Sequence, residues 1–346
     1  MHSAQNVATN NFVGPEVIFV AEPVYIFSDG TLKRKENTIM LETQSGKKHI
    51  PVENVSEIKI FGEVDINKRL LEFLTQKNII VHFFNRYGYY VGSYYPREFL
   101  NSGMIILRQA EFYLNSVKRL ELARLFVEGS LKNIINTIKK YNENGRFSNT
   151  INAIESHIKN LKQCSSVEQL MALEGNAREI YYHCFDNFVK SGDFHFEDRS
   201  KRPPQNELNA LVSFGNSLLY TTTLSEIYKT HLDPRIGFLH TTNDRRFTLN
   251  LDISEIFKPI IVDRLIFTLI NRKQIKKSDF HEITGGISLK ENARRTFVQS
   301  FEEKLKDTIY HSGLKRKVSF RTLIRTEAYK IEKHILEDEP YSPYLG

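Results

Sequence analysis

Several patterns that mark common protein classes are missing from this chain of 346 residues. Tryptophan is absent, and the two cysteines, Cys164 and Cys184, form neither a disulfide framework nor a CxxC zinc motif. No apolar run reaches the ~18 residues that a membrane-spanning helix needs. The first residues, MHSAQNVATNNF, lack the basic start and apolar core of a signal peptide. We therefore expect a soluble, cytoplasmic protein with no membrane partner.

The composition permits a large core and an acidic partner. Hydrophobic residues make up 40% of the chain and charged residues 26%, which is typical of globular proteins, and the length favours two domains. Phenylalanine (24) and tyrosine (16) must supply the large apolar side chains. The net charge of +7 is unevenly spread, because residues 271–335 hold 16 Lys and Arg against 8 Asp and Glu. This basic segment could face nucleic acid.

The hydrophobic patterning predicts an α+β protein. Within residues 15–96, short apolar runs alternate with turn signals such as SDGTLKRKEN and QSGK, with one helical pattern at 66–78 and a hairpin at 79–95. From Met104 onward, helical spacing dominates. We predict a β-rich domain at 15–96, a hinge at 97–106 around Pro96 and its neighbouring glycines, and a larger all-α catalytic domain at 107–340.

Two polar residues of the helical region are candidates for chemistry. Glu174 lies near the apolar face of the helix MALEGNAREIYYHCF, and Arg178 follows four residues later as a natural partner. His240 ends the run RIGFLH. Taken singly, each has a plainer interpretation: Glu174 and Arg178 as a partly buried ion pair that supports packing, and His240 as a satisfied histidine at a turn.

Asp252 and Glu255 form a second candidate pair in LNLDISEIF, three residues apart and so on one helix face. The D-x-x-E spacing also matches a capping box, with Asp252 as the N-cap. Both uses can coexist, because a carboxylate pair at a helix start can also bind a cation. One imidazole with two or three carboxylates suits Mg²⁺ or Mn²⁺ better than zinc. Such an ion can activate a hydroxyl and polarise a phosphodiester.

Basic residues form clusters that could neutralise DNA phosphates, although a solvated surface explains any single cluster equally well. Aromatic residues among them, Phe297, Phe301, Tyr310 and Phe320, are interpreted as core rather than as base-stacking residues. The candidate DNA contacts in the chain are Arg178, Asn209, Arg245, Arg246, Lys276, Lys277, Arg294, Arg295, Arg321 and Arg325.

The order of these segments resembles that of the CRISPR-associated spacer integrases. LEGNAREIYY is followed by SKRPPQNELNALVSFGNSLLY, DPRIGFLHTT, FTLNLDISEIFKPIIVDRLIF and IRTEAYKIEKHI. The resemblance runs from about residue 20 to 340. It implies that the metal ligands are Glu174, His240 and Glu255, which match the E-G-x-A-R, G-F-x-H and D-x-x-[DE] motifs. Asp252 matches the earlier acidic position of the last motif and belongs to the active site, and Asn209 and the RPP segment match supporting positions.

The resemblance also implies a reaction and partners. A 3′-hydroxyl of a captured DNA fragment attacks the phosphodiester at a leader–repeat junction, a second attack follows on the other strand, and hydrolysis of DNA is the same chemistry with water. The family forms homodimers through the β-rich domain, and two dimers flank a small ferredoxin-like second subunit. Two alternatives remain: a catalytically silent nucleic-acid-binding protein, and a stand-alone metal-dependent nuclease acting on branched or single-stranded DNA in repair.

Overall fold

Short strands build the first of two compact units in the computed structural model, which describes residues 21–97, 100, 102–201, 203–241, 247–311 and 313–346. The first unit ends at Val81 and the second begins at His82. The elements of the first unit are β1 (Glu22–Ile26), β2 (Gly30–Lys35), β3 (Thr38–Thr43), β4 (Gly46–Pro51), β5 (Val55–Ile60), β6 (Val64–Ile66) and helix α1 (Lys68–Gln76). β7 (Ile80–Phe84) contains the boundary.

The strands of this unit pair into sheets. One sheet has the order β4-β3-β2-β6, antiparallel except for the parallel pair β2 and β6. Its register places Leu32 opposite Leu41, and both are buried while lysines on alternate positions face solvent. β1 and β5 pair in parallel, with Ile26 opposite Ile60. Asn67 is the N-cap of α1, and its side chain accepts from the Leu70 amide at 3.0 Å.

The second unit opens with the end of β7 and with β8 (Tyr90–Tyr94), which neighbour each other as the predicted hairpin. Helices follow: α2 (Gly103–Leu114), α3 (Ser116–Lys139), α4 (Ser148–Asn160), α5 (Val167–Tyr182), α6 (Phe185–Phe188), α7 (Glu207–Ile227), α8 (Leu249–Phe257) and α9 (Arg264–Asn271). The chain ends with β9 (Phe280–Ile283), β10 (Gly286–Leu289), α10 (Glu291–Lys306), β11 (Thr308–His311), β12 (Arg316–Ser319) and α11 (Phe320–Ile335).

The core of the second unit lies around α3, α7 and α8. Every residue of α8 is buried, and α8 packs against both α3 and α7. Nearly all of α7 is buried as well, which explains why it shows no one-sided apolar stripe. Among the described residues, no helix is long and apolar enough to cross a membrane.

A π-helical segment, Lys258–Asp263, joins α8 to α9. Pro259 sits in its first turn, where a proline lacks the amide hydrogen that a regular helix would use. The wider turn absorbs this loss without ending the helix, and such segments are frequent at functional sites. At Pro259 the chain therefore continues from α8 to α9 through a π-helical turn.

The predicted α+β class, with a β-rich start and a mostly helical remainder, is confirmed. The second part is not all-α, because β9 pairs with β10 and β11 with β12 as antiparallel hairpins. These strands have only four residues each, too few to show a clear period of two. The predicted hinge at 97–106 includes residues outside the described part, and from Gly103 it is the first turn of α2. The domain boundaries stay a prediction.

Candidate active site

Three segments of the second unit bring the predicted site residues together. α5 carries Glu174, α8 carries Asp252 and Glu255, and the connection before α8 carries His240. The side chains of Glu174, His240 and Glu255 are 17%, 16% and 7% exposed. These residues, distant in sequence, therefore line one partly open site on the helical unit.

Asp252 is the anchor of this site and not a helix cap. α8 begins at Leu249 with Thr248 as its N-cap, so the predicted capping box of Asp252 and Glu255 is wrong. The fully buried Asp252 carboxylate accepts three consecutive backbone amides, from Phe238 at 2.6 Å, Leu239 at 3.0 Å and His240 at 3.0 Å. The carboxylate thus fixes the whole GFLH turn on α8 through charge-assisted hydrogen bonds.

Gly237 allows this close approach. A Cβ at Gly237 would lie 2.8 Å from the backbone carbonyl carbon of Thr248 and 2.9 Å from Asp252 Oδ2. The Gly237 amide donates to Thr248 Oγ1 at 2.9 Å. The glycine of the GFLH motif is therefore required by the packing of this turn against the start of α8.

The same carboxylate orients His240. Its Nδ1 lies 2.7 Å from Asp252 Oδ1, and Asp252 can only accept when ionised, so Nδ1 carries the proton. In the neutral ring, Nε2 is then the free lone pair, and it lies 4.0 Å from Glu255 Oε1. A carboxylate behind a metal-ligating histidine commonly fixes its tautomer in this way.

Arg178 joins the two glutamates. Its Nε donates to Glu174 Oε1 and its Nη2 to Glu255 Oε2, both at 2.6 Å, and Nη2 also donates to Ser130 Oγ at 3.1 Å. Burial lowers the pKa of Arg178, but the charges of Glu174 and Glu255 outweigh this and hold it well above its usual value. The guanidinium thereby holds both carboxylates in place at one site.

Lys258 supplies a second cation. It lies one helical turn after Glu255, donates to Glu255 Oε1, and stands over the Tyr220 ring at 4.9 Å. Burial alone would raise the pKa of Glu255, but the charges of Lys258 and Arg178 dominate and lower it to about 2. The pKa of Lys258 is raised in turn by Glu255 despite its burial. Glu255 is therefore an anion at any physiological pH.

The donor set suits a hard divalent cation: two carboxylates and one imidazole nitrogen, with the second imidazole nitrogen already held. Within the described ranges, however, no three His, Cys, Asp or Glu side chains are grouped as a ready cage. The reason lies in Arg178 and Lys258, which stand between or beside the carboxylates and neutralise them. Glu174, His240 and Glu255 therefore suit such an ion in type and location. Arg178 and Lys258 bind the carboxylate oxygens that the ion would need.

Asp263, in the π-helical segment, is a buried acid next to this site. It is 1% exposed, and burial raises its pKa to about 6, although the charge of Arg178 opposes the shift. This residue was not predicted from the sequence, because nothing in its spacing separates it from a surface carboxylate.

Two predicted DNA contacts are buried in structural roles. Arg178 is 9% exposed and holds both glutamates, which settles the sequence ambiguity in favour of the ion pair with Glu174. Asn209 is fully buried: its Oδ1 accepts from Arg199 Nη1 at 2.8 Å, and its Nδ2 donates to the Asp198 carbonyl at 2.7 Å. Asn209 thus fastens the polar 191–204 loop to α7.

The other predicted DNA contacts are scattered over the unit. Arg321 and Arg325 both face the buried Glu226, Arg321 also pairs with Glu302, and Arg295 pairs with Glu291. Arg294 donates to the backbone carbonyl of Arg86, and burial lowers its pKa. Lys276 and Lys277 are exposed. Arg245 and Arg246 lie outside the described residues.

Of the aromatic residues assigned to the core, Tyr310 is 65% exposed, so that interpretation was wrong for this position.

Three cations near the site were missed by sequence reasoning: Lys258, Arg199 and Lys201. Lys258 follows Glu255 by three residues, so the spacing rule that paired Asp252 with Glu255 could have found it. Arg199 and Lys201 come directly before the RPP segment, for which the resemblance implied only a supporting position. Partial burial and the nearby charges of Arg199 and Lys258 lower the pKa of Lys201. The site therefore has a positive rim.

Known proteins are similar to this chain in sequence. A family model described as CRISPR associated protein Cas1 matches residues 24–303. The chain is 55% identical over 323 residues to CRISPR-associated endonuclease Cas1 2 of Thermodesulfovibrio yellowstonii, covering 93% of this chain and 98% of the relative. It is 53% identical over 320 residues to CRISPR-associated endonuclease Cas1 of Thermotoga maritima, covering 92% and 98%.

Solved structures give the same result. A Cas1 protein from Thermotoga maritima superposes with a TM-score of 0.86 at 52% identity, covering 93% of this chain and 100% of that one. A casposase bound to an integration product has a TM-score of 0.82 at 18% identity, covering 93% and 92%. A Cas6-RT-Cas1–Cas2 complex gives 0.83 at 18%, covering 99% and 37%; at this identity both show the fold alone. Because identity above one half extends over nearly the full length of both relatives, this chain belongs to the CRISPR-associated Cas1 family.

Proposed function

We propose that this chain is a metal-dependent DNA integrase and endonuclease of CRISPR adaptation, which inserts captured fragments into repeat DNA. The observation that carries the proposal is the arrangement of His240, Asp252 and Glu255. Asp252 holds the imidazole so that Nε2 faces Glu255 at 4.0 Å, as a ligand histidine must be held. Relatives that are 55% and 53% identical are named CRISPR-associated endonucleases, which supports it.

The reaction is a phosphodiester exchange. The 3′-hydroxyl oxygen of a captured fragment attacks a phosphorus of the repeat strand, a new P–O bond forms, and the bond to the 3′-oxygen of the repeat strand breaks. The proton of the attacking hydroxyl ends on the leaving oxygen, so no oxidant or energy source is needed. With water as the nucleophile the same site cleaves DNA. The casposase whose structure is similar was solved bound to an integration product.

Each site residue has a distinct role in this proposal. Glu174, His240 and Glu255 would hold Mg²⁺ or Mn²⁺, which when bound supplies the positive charge that polarises the phosphodiester and stabilises the leaving oxygen. Asp252 keeps Nδ1 protonated and the turn rigid. Arg178 donates to one oxygen of each glutamate and holds the two carboxylates in place. The positive rim of Arg199 and Lys201 would attract the DNA backbone.

The proposed partners follow the relatives. The Cas6-RT-Cas1–Cas2 complex has a Cas1 part with this fold, which supports assembly of this chain with a small ferredoxin-like second subunit. A homodimer formed through the β-rich unit is the other part of the proposed complex. Two copies of the site held at a fixed separation would set the length of the inserted fragment.

The test is an integration assay on a supercoiled repeat plasmid. The full chain and its small partner are incubated with Mn²⁺ or Mg²⁺ and a short duplex with free 3′-hydroxyl ends. We expect joined products with the wild type and none with His240→Ala, Glu174→Gln or Glu255→Gln. His231→Ala is the matched control, because His231 Nδ1 also contacts a carboxylate, Glu332 at 2.8 Å, outside the site.

Three outcomes separate the proposal from its alternatives. Joining that survives His240→Ala would show that the site is assigned wrongly. Cleavage without joining, even with the partner present, would favour a stand-alone nuclease of repair type. DNA binding with neither cleavage nor joining in any metal would leave a silent nucleic-acid-binding protein.

A further inference from the structure

Three buried glutamates in the second unit each have a lysine three residues later. The pairs are Glu226 with Lys229, Glu255 with Lys258, and Glu327 with Lys330. The glutamate side chains are 0%, 7% and 1% exposed. Such a lysine offsets the cost of burying a charge on a helix. The second pair differs from the others because it also belongs to the proposed metal site.

Lys258 contacts the one carboxylate oxygen that a shared ligand would use. Glu255 has two oxygens: Oε2 accepts from Arg178 at 2.6 Å, and Oε1 accepts from Lys258. Oε1 is also the oxygen that lies 4.0 Å from His240 Nε2. The ammonium group therefore holds the oxygen that faces the imidazole lone pair, where the two donors could bind the same cation.

The charges around Glu255 limit how many cations the site can hold. Glu174, Asp252 and Glu255 contribute three negative charges, and Arg178 and Lys258 two positive charges. A divalent cation added to this group would leave one uncompensated positive charge in a largely buried place, which is costly. The departure of one resident cation would restore neutrality when the ion enters.

Lys258 is the cation that can move. Arg178 is fixed by three hydrogen bonds, to Glu174, Glu255 and Ser130, in a rigid planar group. The lysine ammonium has one carboxylate partner and a cation–π contact with Tyr220, on a flexible four-carbon stem. The exchange of partners is thus easier for Lys258 than for Arg178.

We propose that Lys258 is an internal counter-cation that competes with the divalent metal for Glu255 Oε1 and must release it before the ion binds. In the metal-free protein the ammonium group holds Glu255 Oε1 in place and so weakens the metal affinity. The inference rests on the proposed metal site and assigns Lys258 as a positioning residue that sets its affinity. If Lys258 only held the ligands in position, its removal would weaken metal binding instead of strengthening it.

The test is a Mn²⁺ titration followed by the electron paramagnetic resonance signal of the free ion. We expect Lys258→Met to bind Mn²⁺ more tightly than the wild type, by roughly tenfold or more, because a charge-assisted hydrogen bond no longer has to be broken first. The Mn²⁺-induced rise in the unfolding temperature should increase in parallel, since the metal-free variant has lost an internal cation. Both readouts are independent of catalytic activity.

Lys229→Met is the matched control. It removes the lysine three residues after the buried Glu226, which keeps Arg321 and Arg325 as partners, and it should leave Mn²⁺ affinity unchanged. A second measurement needs no substitution: the side-chain ¹⁵N resonance of Lys258 in the wild type should shift on adding Mg²⁺, while that of Lys229 stays in place. This readout decides the matter if Lys258→Met does not fold.

Failures of the two proposals look different. If the wild type binds no Mn²⁺, or if Glu255→Gln binds it equally well, the metal site itself is wrong. If the wild type binds Mn²⁺ through Glu255 and Lys258→Met binds it no more tightly, with the Lys258 resonance unmoved by Mg²⁺, the counter-cation role is refuted while the metal site stands.

Discussion

Asp252→Asn tests the central structural argument of the site. The carboxylate receives four donors, two on each oxygen: the Phe238 and Leu239 amides on Oδ2, and the His240 amide and Nδ1 on Oδ1. An asparagine has the same shape but only one acceptor oxygen. Whichever way its amide is turned, two of the four donors face an NH₂ group instead of an oxygen.

The magnitude follows from those two lost contacts. Hydrogen bonds to a charged group contribute about 1.5–3 kcal/mol each, so the free energy of unfolding should fall by roughly 3–6 kcal/mol. If the amide oxygen turns towards Phe238 and Leu239, Nδ1 also loses its acceptor. The neutral His240 ring then protonates on Nε2, and the lone pair no longer faces Glu255.

Two measurements check this. Urea unfolding gives the stability change, and ¹⁵N NMR of the imidazole gives the tautomer and so the orientation of the new amide. A stability loss below about 1 kcal/mol would refute the reasoning, because either orientation removes two charge-assisted hydrogen bonds. Glu327→Gln is the control. This buried carboxylate accepts from the Tyr341 hydroxyl and the Tyr344 amide and makes no contact with His240 among the described hydrogen bonds. Its substitution should lower the free energy of unfolding without changing the His240 tautomer.

Two further predictions concern packing and pH. Gly237→Ala should lower the free energy of unfolding by about 1–3 kcal/mol, because the new Cβ lies under 3.0 Å from atoms of Thr248 and Asp252. Gly175→Ala, in open space on α5, should raise it by about 0.5–1 kcal/mol. Thermal unfolding that ranks the two variants the other way would contradict the packing argument. Asp263 has a folded pKa of about 6 against an ordinary value of 3.8, so its favourable contribution is complete below pH 3.8 and is lost as the pH rises through about 6. The free energy of unfolding of Asp263→Asn should therefore rise relative to that of the wild type by about 2.5 kcal/mol between pH 4 and pH 7, at ~1.4 kcal/mol per pKa unit. A pH-independent difference in urea unfolding would count against this.

The sequence determined the elements and most of the candidate site. Apolar residues at a spacing of two or of three to four predicted the β-rich start and the helices, because burial of one face forces those periods on any strand or helix. Through the family resemblance, the order of LEGNAR, GFLH and LDISEIF predicted Glu174, His240 and Glu255 as ligands, although each alone had a plainer explanation. The structure brings the three side chains to one place, and their ligand role stays a prediction. The two C-terminal hairpins were missed, since four-residue strands are too short to show a period.

Only the tertiary structure decided what each polar residue does. The D-x-x-E spacing is the same for a capping box and for a buried anchor, and Asp252 became the anchor because the GFLH turn packs on α8 and presents three amides to it. Arg178 and Asn209 looked like DNA contacts until burial showed their partners. The spacing of three residues could pair Lys258 with Glu255, but only the tertiary structure shows that His240 lies beside the same carboxylate. Local spacing fixes which side chains share a face, but only the packing of distant segments fixes what that face meets.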